Sequence, residues 1–151
     1  MIHRRLQIGR WIVDFLFADD KGYDRGDVFS YLYNAYAPND VMDQAELLMD
    51  TCDYNCGFTY ANQDRRMAVV MIGPTTSGAE FQDTFVHEIR HLADNIAQSL
   101  GLRLHGEPVA YLSGDMARDL ADVVCRLGCD RCRKKSTGRD LLPRCLSKPY
   151  V

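Results

Sequence analysis

Residues 84–94 read Thr84-Phe85-Val86-His87-Glu88-Ile89-Arg90-His91-Leu92-Ala93-Asp94, and the spacing of the two histidines inside this run decides how the chain is read. On a helix, positions i and i+4 lie one above the other, about 6 Å apart along the axis, so both imidazoles leave one face and can grip a single metal ion. Glu88 stands beside them and can act on a water molecule without being a ligand itself. Val86, Ile89, Ala93 and the stem of Arg90 set apolar groups beside the motif, and Leu92 and Ile96 continue a helical pattern on a buried face. His87 and His91 are two of the chain's four histidines, which favours a metal pair over two exposed polar side chains.

The helix bounds follow from the flanks. Ser77 is a candidate N-cap with Glu80 at the capping-box spacing, so the helix is expected from about Gly78. Gly101 predicts its end near Leu100, because glycine takes a positive φ without strain. Pro108 suits the first turn of a following helix, where its missing N–H costs nothing.

Two histidines leave zinc short, since catalytic zinc takes three protein ligands and water. A histidine six residues past His91 is absent, the position being Ala97. Glu107, in His105-Gly106-Glu107-Pro108-Val109-Ala110-Tyr111, is the favoured third ligand. The return path from Leu100 to a level with His91 is about 16 Å, and seven extended residues span at most about 23 Å. His105 is a rival by the same path. Asp94, three residues after His91, is a second rival, better suited to accepting an imidazole N–H. Glu107 has a plainer role open to it as well, complementing the dipole of its own helix.

His87-Glu88-x-x-His91 followed by Glu107-x-x-Ala110-Tyr111 resembles the gluzincin clan of zinc metallopeptidases, and the small size resembles its minimal members, the minigluzincins. The likeness covers roughly residues 57–125. It implies a Zn2+ ion on His87, His91 and Glu107, water activated by Glu88, and an upstream strand that pairs with an extended peptide or protein substrate. Tyr111, one turn after Glu107, is read first as core packing, with support of the oxyanion as the alternative. The activity so implied is hydrolysis of a peptide bond. The alternative is a non-catalytic binding or regulatory module on the same scaffold, stabilised by its metal.

Upstream, Gly57-Phe58-Thr59-Tyr60-Ala61 and Met67-Ala68-Val69-Val70-Met71-Ile72 read as two strands joined by a turn at Asn62-Gln63-Asp64-Arg65, with Pro74 closing the second. Met67–Ile72 is the candidate peptide-pairing edge, with an interior position as the alternative. Trp11-Ile12-Val13-Asp14-Phe15-Leu16-Phe17 reads as an N-terminal strand and a candidate for the first of the sheet, since Asp14 interrupts what would otherwise resemble a signal segment. Asp27 to Tyr36 and a segment capped by Asn39 read as helices. Tyr23, Tyr31, Tyr33 and Tyr36 read as core and rim packing. After Glu107 a helix of about twenty residues fits Val109, Leu112, Met116, Leu120, Val123 and Val124. The expected architecture is α+β, a small antiparallel or mixed sheet on helices with a zincin-like motif helix.

The chain has 151 residues, 46% hydrophobic and 26% charged, enough for one globular domain with a proper core. Residues 1–124 are read as the metallopeptidase domain and 125–151 as a basic, cysteine-containing segment of the same domain. No apolar run reaches the 18 or so residues of a membrane span, and a cytoplasmic protein is expected. Eight Lys or Arg against two Asp give 125–151 a net +6, which leaves −9 on the remainder of a chain whose total is −3. A basic tail of this kind can touch nucleic acid, although folding back on the acidic body is the expectation. Cys125, Cys129, Cys132 and Cys145 could form a second, structural metal site. Thiols kept reduced in the cell, or disulfides formed on oxidation, are the competing reading for the six cysteines.

Overall fold

The computed structural model describes residues 1–19, 21–51 and 54–133. Strands β1 (Ile2–Ile8) and β2 (Trp11–Phe17) form a hairpin, turned at Gly9, whose φ of 59° suits the short connection. Helices α1 (Arg25–Asn34) and α2 (Asn39–Thr51) follow, then β3 (Gly57–Asn62) and β4 (Met67–Ile72). The long helix α3 (Gly78–Ser99) precedes α4 (Glu107–Asp119), α5 (Ala121–Gly128) and α6 (Asp130–Arg133). The four strands lie in the order β1-β2-β4-β3, with β2 and β4 parallel and the other two pairs antiparallel. The class is α+β with a mixed sheet.

The two central strands are covered on both faces, which explains their near-continuous apolar sequences. Trp11, Val13, Phe15 and Phe17, with Ala68, Val70 and Ile72, meet Phe81, Phe85, Ile89, Leu92 and Ile96 of α3. Leu16, Val69 and Met71 meet Val28 and Leu32 of α1 and Ala45 of α2 on the other side. The caps agree with the sequence: the Ser77 hydroxyl accepts from the Glu80 N–H, and Gly101 takes φ 68° after the C-cap Leu100.

Three expectations need correction. Met67–Ile72 is not an edge, because β2 and β3 flank it; β3 is the edge strand on that side. Trp11–Phe17 is not the first strand, since β1 precedes it. The helix after Glu107 does not run twenty residues unbroken: Leu120 steps out to φ −102° and ψ 10°, separating α4 from α5. Leu120 is fully buried, so tertiary packing fixes this bend where no glycine or proline marks it.

Asp14, the charge inside β2, is only 3% exposed. It accepts from Arg5 Nε and Nη2, both at 2.9 Å, and pairs with His3 Nε2 at 2.6 Å. His3 Nδ1 in turn meets the Tyr31 hydroxyl at 3.1 Å, linking the hairpin to α1. Asp14→Ala would leave these groups unmatched and is expected to lower stability by about 2 kcal/mol, read from the denaturation midpoint, because breaking a buried ion pair costs more than the pair contributes.

Candidate functional site

With Phe81, Phe85, Ile89, Leu92 and Ile96 on the sheet, the 3.6-residue repeat turns His87 and His91 outward. Both are exposed, and their Nε2 atoms converge to 3.0 Å with the rings at 79°. The sequence spacing therefore delivers two imidazoles to one point.

Glu88 is directed elsewhere. It is 5% exposed, and its Oε2 accepts from the Thr59 hydroxyl of β3 at 2.6 Å. Gly57 makes room for it: a Cβ there would lie 2.5 Å from Glu88 Cγ. The glutamate is thus held between the motif helix and the edge strand, about 100° around the helix from His87.

The other expected residues fall as follows. Glu107 is the first residue of α4, exposed, after Gly106 at φ 97°; Pro108 follows in the first turn. Among the described residues, no group of three or more His, Cys, Asp or Glu side chains is close enough to hold a metal ion, so Glu107 does not stand with the imidazole pair in this conformation. His105 is exposed in the connecting loop. Tyr111 is 68% exposed, which overturns the core-packing reading for it. Asp94 pairs with Arg90, Oδ2 to Nε at 2.9 Å, rather than with an imidazole. Cys125, Cys129 and Cys132 are half-buried on α5, α6 and the residue between them, while Cys145 lies outside the described residues. Cys56 is disulfide-bonded, which departs from the reduced-thiol reading at that position.

Tyr23 is a site neighbour that sequence reasoning placed among packing aromatics. Its hydroxyl is buried with no hydrogen-bond partner among the described residues. Burial first, and the Glu88 charge second, push its pKa well above the usual phenol value. It lines a cleft of about 230 Å³ with Lys21, Arg25, Met49, Cys56 and Pro74, outside the carboxyl ends of β2 and β4. No motif announces such a residue; only the folded position of Glu88 does.

No protein-family model, curated protein or solved structure matches the chain.

Gly57→Ala is expected to push Glu88 off Thr59 and cost about 1–2 kcal/mol in denaturation, and most of that cost should vanish in a Glu88→Ala background. Tyr23→Phe removes an unpaired buried hydroxyl and should raise stability by about 1 kcal/mol, seen as a higher melting temperature.

Proposed function

We propose that the protein is a zinc-dependent hydrolase of peptide bonds, of gluzincin type, and that residues 84–111 carry its chemistry. The observation behind this reading is the convergence of His87 and His91 Nε2 at 3.0 Å. Two nitrogens on one tetrahedral zinc stand about 3.3 Å apart, given Zn–N bonds of about 2.0–2.1 Å. The imidazole pair therefore fits such an ion. Glu107 would complete the set as a carboxylate on the next helix, and reaching the pair requires a shift of the segment between α3 and α4.

Zinc, when bound, supplies a water of near-neutral pKa and a Lewis acid for the scissile carbonyl. Glu88 is the chain's own base: its Oε1 or Oε2 takes a proton from the attacking water and returns it to the leaving nitrogen. The Thr59 hydroxyl fixes this carboxylate, and burial beside β3 shields it from bulk solvent. β3, as the edge strand next to Glu88, offers unpaired backbone groups on which an extended peptide could lie. Tyr111, exposed one turn beyond Glu107, is free to approach an oxyanion.

A second reading, a metal-stabilised binding module without turnover, is favoured by the packing of Glu88 against Gly57 and Thr59. Zinc titration against a chromophoric chelator separates the possibilities. The native chain should take up about one equivalent of zinc and His87→Ala none, while Glu88→Gln keeps the metal but loses cleavage of a diverse peptide library. Absence of zinc uptake by the native chain sinks both readings; cleavage that survives Glu88→Gln sinks the proposed chemistry.

A further inference from the structure

His87 and His91 stand exposed on α3 with their Nε2 atoms 3.0 Å apart, close to the separation of two nitrogens on one tetrahedral zinc. Among the described residues no third His, Cys, Asp or Glu joins them. Asp94, next along the same side of the helix, gives its Oδ2 to Arg90 Nε at 2.9 Å, and Glu107 stands apart. The pair thus offers half of a tetrahedral shell, whereas structural zinc has all four positions filled by protein ligands. Apolar surface borders it. Val86, one residue before His87, is 63% exposed, and Leu104, held beside α3 by Arg90 Nη2 on its carbonyl at 2.9 Å, is 38% exposed.

We propose that His87 and His91 form one half of a zinc site that a second copy of this chain completes. The second copy brings what is missing in kind and number, two more imidazole nitrogens at the same spacing. An ion held equally by two identical chains lies on a twofold axis, the commonest symmetry of protein oligomers. Tetrahedral geometry sets the second pair at right angles to the first, so the two α3 helices cross steeply and approach only near the imidazoles. Glu80 and Gln98, two turns before His87 and two turns after His91, then stay in water. With four nitrogens on the ion no position is left for water, so the bridged species is structural and not hydrolytic. The inference shares with the hydrolase reading only the affinity of the imidazole pair for zinc; it needs neither Glu107 nor a shift of the α3–α4 segment. Mass action connects the two states. At half an equivalent of zinc each ion has two pairs to bind, whereas in excess zinc each pair takes its own ion and the bridge separates.

The test uses the full chain at a fixed micromolar concentration with zinc alone as the probe, in native, His91→Ala and Glu107→Ala forms. Molar mass by light scattering is expected to rise from 17.2 kDa towards twice that value as zinc approaches half an equivalent, and to fall back in a large excess. X-ray absorption at the zinc edge is expected to show, at half an equivalent, four imidazole nitrogens per ion at about 2.0–2.1 Å and no sulfur. His91→Ala should keep the monomer mass throughout, and Glu107→Ala should dimerise as the native chain does. A native chain that binds zinc yet stays monomeric at half an equivalent overturns the inference and leaves the hydrolase reading standing. A dimer present before zinc is added, or one that survives His91→Ala, overturns it as well. So does sulfur in the zinc shell, which would assign the bridge to cysteine, or loss of the dimer in Glu107→Ala, which would make that carboxylate a bridging ligand. Four-nitrogen bridging in a chain that cleaves no peptide at any zinc level upholds this inference and removes the hydrolase reading, while absence of zinc uptake removes both.

Discussion

The packing of α3 along one face of β2 and β4 governs everything on the histidine side of the molecule. Phe81, Phe85, Ile89, Leu92 and Ile96 are buried there together, a contribution on the order of 10 kcal/mol from apolar area alone. Once these five face the sheet, helical geometry leaves no freedom to the positions between them. His87 and His91 must point outward, and Glu88 must point sideways into the angle between helix and edge strand. The histidine stripe is a by-product of the hydrophobic stripe, offset from it around one helix.

The opposite face shows the same economy with polar groups. Asp14 sits in a strand that is otherwise apolar, yet Arg5 and His3 come from the hairpin partner and Tyr31 from α1, so the charge ties three elements together. A carboxylate in this setting specifies register: a one-residue slip of β1 would carry His3 and Arg5 to the wrong side of the sheet.

What was legible in the sequence was local. Ser77 with Glu80, Gly101 and Pro108 fix helix ends by interactions within a few residues, and the histidine spacing fixes which two side chains meet. What was not legible depended on long-range pairing. β1 is rich in charge, as edge strands are, so its residues 3–5 hide the Ile2, Leu6 and Ile8 that pack inward. The interior place of β4 follows from its parallel match with β2, more than fifty residues earlier, which no turn signal encodes. The direction of Glu88 depends on Gly57 leaving space, a contact between segments thirty-one positions apart. Glu107 stands apart from the imidazoles because loop conformation, and not the length of the connection, decides where it goes.

Residues 128–133 engage the other end of the motif helix. The Asp130 carboxylate accepts from the Gly78 N–H at 2.7 Å, the Gly128 carbonyl fills the space where a side chain at position 78 would stand, and Arg133 reaches Thr75. The last described residues thus close over the first turn of the helix whose middle bears the histidines, so the seating of that turn is set by a segment some fifty positions further along the chain as well as by its own Ser77 cap.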